Sequence, residues 1–450
     1  MGPLAARMRG RALILVLVGA LLGWACAGGR PWGEPTPVGH WKQRASELRE
    51  LDFMESIHFR WLRRSELPEV VREELLNTYS PDFVDRYRDA YVALGLLPRD
   101  LDLVQTLVDL LGEELVGLYS PHRRTMYVVR GTKEQAQQGD SMIVIHELVH
   151  ALQHQHFPAT LDLLQELRHN DDVVLGIGSA VEGDASLTMM ASDPNSQLGR
   201  RMADAMLFQS ILLAELKTSR GVAARVPRLV SVSQVFPYAY GTPVAAETYA
   251  ADGNRGLNAQ LLSPPLSTLR VRFPDEERAV EFIRLPLETL ALELAPQGCE
   301  LGHSNVAGML TLRVFLEEYE PDGTHEELVR DWAGDRFVHL YCPDGWELAW
   351  FTRWSDARAA ARFARRYRAL AEAVAESAPL SGVPSVIEEG RSALVLTPGL
   401  LEQAPLLLQQ SEIRSYRSFG EWKSDDCFPE SPCPGSGATA QTGSSRQSMK

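Results

Sequence analysis

The sequence predicts an α+β protein in two parts, a mainly helical domain with a small β-hairpin followed by a smaller α+β domain. Three observations lead to this prediction. Apolar residues recur at helical spacing over much of residues 43–268. A short segment rich in β-branched and aromatic residues interrupts these helices near residues 114–129. Beyond a proline-rich turn at residues 261–268, strand-like alternation becomes frequent, so the second domain is placed at residues 269–415.

The first 42 residues differ from the rest of the chain. Three arginines precede an apolar run, which is the pattern of an export signal, so residues 1–25 are predicted to be a signal peptide. Cys26 follows in a segment that resembles a bacterial lipobox, and a lipid on Cys26 would anchor the protein to a membrane; plain secretion is the alternative. Residues 26–42 are rich in glycine and proline and are predicted to form a flexible tether. Both alternatives place the protein outside the cytoplasm.

Composition and cysteine content limit the function further. Hydrophobic residues make up 45% of the 450 residues, enough for a substantial core, and the net charge of −14 argues against nucleic acid as a partner. Four cysteines besides Cys26 lie in the C-terminal third. In an oxidising compartment they predict up to two disulfides with three possible pairings. These cysteines are Cys299, Cys342, Cys427 and Cys433.

The first domain is predicted element by element from apolar spacing and from the residues that begin or end each segment. Proline and glycine mark most of the boundaries, because proline lacks an N–H group and glycine favours turns. The predicted elements are helices at residues 69–79, 82–96 and 102–115, a hairpin whose second strand is residues 125–129, helices at residues 140–157 and 171–191, a long helix within residues 195–230, a turn at residues 236–241, and a helix at residues 243–251.

The second domain alternates shorter helices and strands. Asp344 and Gly345 predict a tight hairpin turn between two of its strands. A tail at residues 424–450, rich in serine, glycine and proline, is predicted to be mostly disordered. The predicted helices cover residues 276–284, 304–319 and 355–375, and the predicted strands cover residues 336–342, 346–353, 385–389 and 393–396.

The helix predicted at residues 140–157 contains the motif His146-Glu147-Leu148-Val149-His150. Residues four apart lie on one face of a helix, so both imidazoles can reach one metal ion, with Glu147 beside it. The remaining residues of this helix are apolar on nearly every side, which predicts that it is buried. A chance occurrence of the three fixed positions is the alternative explanation.

Glu182 is the predicted third metal ligand, in the helix at residues 171–191. Gly183 follows it, and glycine inside a helix costs about 1 kcal/mol relative to alanine, so it usually marks close packing. Such packing would bring Glu182 near the motif helix. A solvated helix carboxylate is the alternative. Asp184 and Ser186 are candidates for orienting a histidine ligand.

Two histidines and one glutamate leave one position of a tetrahedral zinc site open, which is typical of catalytic rather than structural zinc. Such a site activates water, with Glu147 as the general base that passes the proton to the leaving amine. The developing oxyanion needs a further donor, and the candidates for that catalytic role are Tyr238, the preferred one, and Tyr240, with a packing role as the alternative for each. His154 and His156 are interpreted as groups that cap the C-terminus of the helix, in preference to a second metal site.

The ligand-bearing segments, residues 146–153 and 181–185, resemble the gluzincin clan of zinc metallopeptidases. More narrowly, the chain resembles a group of uncharacterised secreted bacterial proteins with a minimal zincin domain, over roughly residues 45–375. The resemblance implies a zincin-like fold for residues 43–268. It also implies one Zn²⁺ per chain, with Glu147 as the base. The implied ligands are His146, His150 and Glu182. Weaker similarities lie at residues 95–98, 116–119, 237–238, 264–268 and 332–336.

The chain departs from that group at two places. Ser120 stands where an aspartate is expected, and residues 268–274 lack the acidic and histidine residues expected of that turn. Both places lie outside the inferred ligands, so they bear on substrate binding or loop structure more than on the metal.

The sequence therefore predicts an exported zinc metallopeptidase that hydrolyses peptide bonds in peptide or protein substrates. The alternative is a metal-binding surface lipoprotein that does not hydrolyse its partner and acts as a binding or assembly module. In either case the membrane is an expected partner if Cys26 carries a lipid.

Overall fold

The computed structural model describes residues 36–425, except residues 116, 122, 130–138, 193–198 and 219–224. The described residues combine helices with sheets of three, five and two strands, so the predicted α+β class is confirmed. Several sequence predictions lie outside the described residues. They are the signal peptide at residues 1–25, the lipid site at Cys26, the tether up to residue 35, the cysteines Cys427 and Cys433, and the tail from residue 426.

The first part of the chain forms helices around a three-stranded sheet. Strand β3 (Thr125–Val129) lies at its centre, with β1 (His58–Leu62) parallel on one side and β2 (Gly117–Ser120) antiparallel on the other, so β2 is an edge strand. The β2–β3 hairpin was expected, whereas β1 was not, because its pairing with β3 joins segments distant in sequence. The elements are α1 (Thr36–Arg49), β1 (His58–Leu62), α2 (Leu67–Thr78), α3 (Pro81–Ala93), α4 (Leu103–Glu114), β2 (Gly117–Ser120) and β3 (Thr125–Val129).

Helix α1 corrects the predicted extent of the tether. The flexible segment was expected to reach residue 42, but the chain is helical from Thr36 onward. Trp41 and Ala45 of this helix pack in an apolar cluster with Val144, Leu148 and Leu152 of the motif helix. Burial of that face against the protein stabilises the helix, which the local glycine and proline content did not indicate.

The middle of the chain is helical. The motif helix ends at His156, and Pro158 begins the next helix, where its missing N–H group has no cost. Asn170 caps the following helix by accepting a hydrogen bond from the N–H of Val173 at 3.1 Å. The elements are α5 (Gly139–His156), α6 (Pro158–Glu166), α7 (Asp171–Met190), α8 (Met202–Lys217), α9 (Arg228–Leu262) and α10 (Thr268–Arg272).

Helix α9 corrects the predicted turn at residues 236–241. The chain remains helical through Pro237 and Pro243, and the helical dihedral angles are interrupted only further on, at Asp252 and Gly253. Gly253 has a positive φ of 59°, which glycine adopts without strain. Proline is a local signal against helix, but here the packing of α9 along α7 keeps the segment helical.

The last part of the chain contains an antiparallel sheet in the order β5 (Glu300–Asn305), β6 (Trp332–Cys342), β7 (Gly345–Trp354), β9 (Ser392–Leu396), β8 (Ser385–Glu389). Separately, β4 (Val280–Arg284) pairs with β10 (Glu412–Tyr416). The helix expected at residues 276–284 is wrong: residues 280–284 form β4, because a distant strand supplies its hydrogen-bonding partner. The elements are β4 (Val280–Arg284), α11 (Leu287–Leu294), β5 (Glu300–Asn305), α12 (Gly308–Tyr319), α13 (Glu326–Arg330), β6 (Trp332–Cys342), β7 (Gly345–Trp354), α14 (Ala357–Ser377), β8 (Ser385–Glu389), β9 (Ser392–Leu396), α15 (Ala404–Gln410), β10 (Glu412–Tyr416) and α16 (Phe419–Ser424).

Two features hold the parts of the chain together. Cys299 and Cys342 form a disulfide that joins the segment before β5 to the end of β6. One continuous cluster of buried apolar side chains includes Leu107 and Phe157 before the predicted domain boundary at residue 268, and Trp350 after it. The two predicted domains therefore share a core.

Candidate metal centre

His146, His150 and Glu182 meet in the interior between α5 and α7. The Nε2 atom of His146 lies 3.0 Å from Oε2 of Glu182, and Nε2 of His150 lies 3.1 Å from Oε1. The two Nε2 atoms are 3.1 Å apart. One ligand atom from each residue lies within 4.8 Å of the others, a spacing that can hold a metal ion. The predicted ligand set is thus brought together, and the Glu182 side chain is fully buried.

The surroundings of α5 explain why its two histidines point inward. Val144, Leu148 and Leu152 on the opposite side of the helix pack in a cluster with Ala45 of α1 and Met126 of β3. Since this apolar face is buried, the helix cannot rotate about its axis without exposing it. The orientation of the imidazoles is therefore fixed by packing on the far side of the helix.

Helix α7 brings Glu182 to the histidines because it packs very closely on α9. A Cβ atom at Gly183 would lie 2.3 Å from the carbonyl oxygen of Gly241, and one at Gly241 would lie 2.1 Å from that of Ser179. By length and composition, α7 is apolar enough to span a membrane, but 94% of its 18-residue apolar stretch is buried inside the protein. It is accordingly a central core helix, and it carries the third member of the site.

Gln153 contacts the candidate ligand His150, a role that the sequence analysis did not assign to it. Its Nε2 donates hydrogen bonds to the carbonyl oxygen of Val181 at 2.9 Å and to Oδ2 of Asp184 at 2.8 Å, and its Oε1 lies 2.8 Å from Nδ1 of His150. A backbone carbonyl can only accept, which fixes the orientation of the amide, so Nδ1 of His150 must carry the hydrogen. In the neutral ring Nε2 then has a free lone pair, the form of histidine that binds metals.

Asp184 and Ser186 were expected to orient a histidine directly. Asp184 acts one residue further away, through Gln153, and no hydrogen bond joins Ser186 to a histidine among the described residues. The available sequence signal was a glutamine on the motif helix, three residues after His150. A helix places residues three apart side by side, so the contact with His150 is local.

Glu147 lies beside the three ligands and under the edge strand β2. The backbone N–H of Tyr119 donates to its Oε2 at 3.0 Å. A Cβ atom at Gly117 would lie 3.4 Å from Cγ of Glu147 and 3.0 Å from Cε of Met126, so glycine there gives the glutamate room. Burial raises the pKa of Glu147, although His150 and His146 oppose the shift. A buried carboxylate with a raised pKa is a stronger base than an exposed one.

The electrostatics of the cluster favour a positive charge at its centre. Burial alone would raise the pKa of Glu182, but His150 and His146 outweigh it and lower this pKa to about 2. Burial alone would lower the pKa of His150, but Glu182 and Glu147 raise it to about 9. An ionised carboxylate facing two imidazoles attracts either a proton or a metal cation, and the two compete.

The side chains present fit a zinc ion. Among the described residues, both carboxylate oxygens of Glu182 are buried without a hydrogen-bond partner. Such atoms are costly to bury unless something else satisfies them. Two imidazole nitrogens and one carboxylate oxygen are a donor set that zinc binds in catalytic sites.

Two tyrosines and two histidines were also singled out in the sequence: Tyr238, Tyr240, His154 and His156. The ring of Tyr238 is buried and stacks on His146, with ring centroids 5.9 Å apart, and it lies on α9 and not in a turn. Tyr240 packs on Phe236 at 4.9 Å. His154 lies with its Nδ1 3.4 Å from the hydroxyl of Tyr119. His156 contacts the carbonyl oxygen of Asp52, so its partner is a loop and not the carbonyls of its own helix.

Comparison with known proteins bears on another part of the chain. Residues 295–397 match a family model described as "Domain of unknown function (DUF8575)". The match includes all strands of the five-stranded sheet and none of the candidate metal ligands. Among curated proteins and among solved structures, no match to the chain is found. The family match therefore carries no information about the candidate metal ligands.

Proposed function

We propose that this protein is a zinc metallopeptidase of gluzincin type that hydrolyses peptide bonds of peptide or protein substrates outside the cytoplasm. The observation that carries the proposal is the convergence of Nε2 of His146 and Nε2 of His150 on the carboxylate of Glu182, at 3.0 and 3.1 Å. The Cys299–Cys342 disulfide supports an oxidising compartment.

His146, His150 and Glu182 would hold the zinc ion, and Gln153 would hold the ring of His150. When bound, zinc supplies Lewis-acid chemistry, polarising the carbonyl group under attack and making water a stronger acid. Because these three donors leave one position of a tetrahedral site open, the donor set suits catalysis better than a purely structural role.

Glu147 is proposed to move the proton. Its Oε2 is occupied by the N–H of Tyr119, whereas its Oε1 makes no hydrogen bond with the described residues. Oε1 would take the proton from the attacking water and pass it to the nitrogen of the leaving amine. Tyr238 is the proposed donor to the developing oxyanion, supported by the stacking of its ring on His146.

A peptide-hydrolysis assay with metal analysis tests the proposal. We expect one zinc per chain in the wild type and in Glu147→Gln, and a loss of activity of about 10²–10⁴-fold in Glu147→Gln, the scale of general-base catalysis. His146→Ala should lose the zinc, and a chelator should lower the melting temperature of the wild type but not of this variant. Glu166→Gln, at an exposed glutamate on α6, is the control. A wild type without zinc contradicts the proposal.

A second candidate is a non-hydrolytic, metal-binding surface lipoprotein that acts as a binding or assembly module. The observation in its favour is burial: Glu147 is 8% exposed and the His150 side chain 12%, which restricts the approach of a substrate. Equal hydrolysis by the wild type and Glu147→Gln, with zinc present in both, would support this candidate against the peptidase.

A further inference from the structure

Arg49, the last residue of α1, is completely buried, at 0% exposure. Its Nε lies 2.9 Å from Oδ1 and 3.1 Å from Oδ2 of Asp184 on α7. Its two terminal nitrogens donate to Oδ1 of Asn254 at 2.9 Å and Oδ1 of Asn258 at 2.8 Å, both on α9. Since a buried charge without partners is strongly unfavourable, these bonds fix the end of α1 against α7 and α9.

The same carboxylate connects Arg49 to the metal centre. Asp184 accepts from Nε2 of Gln153, and Oε1 of Gln153 faces Nδ1 of His150, each at 2.8 Å. A guanidinium can only donate and an ionised carboxylate can only accept, so Gln153 must present its NH₂ group to Asp184 and its oxygen to His150. The direction of every hydrogen bond, from Arg49 to the imidazole, is thereby set.

The kink in α9 places Asn254 and Asn258 within hydrogen-bonding distance of Arg49. Asp252 and Gly253 interrupt the helix immediately before Asn254. Asn254 also donates from its Nδ2 to the carbonyl oxygen of Leu48 at 3.0 Å. The end of α1 is therefore held through both its backbone and the Arg49 side chain, which leaves the guanidinium little freedom to move away from Asp184.

We propose that Arg49 is a positioning residue of the metal centre. Through Asp184 and Gln153 it holds the His150 ring in the tautomer that presents Nε2 to a divalent cation. The proposal rests on the proposed function in one respect, that His146, His150 and Glu182 bind the metal. It follows that the docking of α1 and the retention of the metal are coupled, although α1 contributes no ligand.

Zinc affinity, measured by competition with a chromophoric chelator on purified protein, tests this coupling. Arg49→Met has similar length but cannot donate, and we expect it to bind zinc about 10–100-fold more weakly, the usual effect of losing a group that supports a metal ligand. Arg44→Met is the matched control. Arg44, also on α1, donates to the carbonyl oxygens of Ala191 and Ser192 at 3.1 and 3.3 Å, so it also holds α1 against the end of α7, but it makes no hydrogen bond to Asp184, Gln153 or Asn254 among the described residues. Its zinc affinity should stay at the wild-type value.

A double-mutant cycle separates positioning from general support of the fold. Gln153→Met leaves the Arg49–Asp184 pair in place and should weaken zinc binding as much as Arg49→Met. Adding Arg49→Met to Gln153→Met should then cause little further loss of zinc affinity, because mutations within one connected series of hydrogen bonds do not have additive effects. Losses that multiply independently would overturn the proposal.

The outcomes also distinguish this proposal from the proposed function. If the wild type binds zinc and a folded Arg49→Met binds it equally well, the role of Arg49 is wrong and the metal centre stands. If Arg49→Met does not fold, as judged by circular dichroism of the metal-free protein, Gln153→Met decides, and wild-type affinity in that variant overturns the coupling. If the wild type binds no zinc, both proposals fall.

Discussion

Gly183 of α7 and Gly241 of α9 are in direct backbone contact. A Cβ atom at Gly183 would lie 2.3 Å from the carbonyl oxygen of Gly241, far inside van der Waals distance. Because this approach is next to Glu182, the spacing of the two helices also determines where the buried carboxylate lies. The small residue after Glu182, Gly183, is therefore required by the close packing of α9, a helix that carries none of the three candidate metal ligands.

Gly183→Ala should strongly destabilise the protein. Alanine normally favours a helix by about 1 kcal/mol over glycine, but here the methyl group would force α7 and α9 apart, and overpacking of this kind costs about 1–3 kcal/mol or more. Urea unfolding measures the difference. Gly178→Ala on the same helix is the control, since its Cβ would lie 3.9 Å from Cγ of Pro237 and has room. Equal stability of the two variants would contradict the close contact.

Gly117→Val should impair hydrolysis without releasing the metal. A side chain at this edge-strand position would press on Cγ of Glu147 and displace the carboxylate from the N–H of Tyr119. We expect kcat/KM to fall about tenfold or more, as expected when a catalytic group is misplaced by a fraction of an ångström to an ångström. Zinc content and affinity should not change, because the three proposed ligands are untouched. Gly39→Ala, with no neighbour within 4 Å of its Cβ, is the control.

The ion pair of Glu276 and Arg278 predicts a specific pH dependence of stability. The hydrogen bond from Arg278 lowers the pKa of Glu276 to about 2 from its usual 4.5. A lowered carboxyl pKa contributes stability that is fully present above about pH 4.5 and lost as the pH falls through about 2. The wild type should therefore exceed Glu276→Gln by about 1 kcal/mol in free energy of unfolding at pH 7, the scale of a partly exposed pair.

This difference should shrink as the pH is lowered from 4.5 towards 2, followed by urea unfolding at each pH. Glu277→Gln, at the exposed neighbouring glutamate, is the control and should match the wild type throughout. A Glu276→Gln deficit that stays constant down to pH 2 would show that the side chain contributes through packing and not through its charge.

Local signals predicted much of the fold. Periodicity and boundary residues predicted the motif helix, the helix that carries Glu182 and the hairpin β6–β7, because each of these is specified within a few residues of itself. The failures share one cause. The strands β1 and β4 pair with segments distant in the chain, and α9 stays helical through Pro237 because α7 packs along it. Such long-range contacts cannot be predicted from the local spacing of apolar residues.

The candidate site, like the fold, was predicted from the sequence only in part. The sequence by itself determined that the two imidazoles share one helix face with Glu147 beside them, since residues four apart lie on the same face of any helix. Only the tertiary structure decided that Glu182 reaches them, that Gln153 and Asp184 set the tautomer of His150, and that Arg49 completes the chain of hydrogen bonds. The physical reason is that hydrogen-bond direction and carboxylate position depend on how separate helices pack. That packing is settled by contacts between helices, such as those of Asp184 with Gln153, 31 positions away, and with Arg49, 135 positions away.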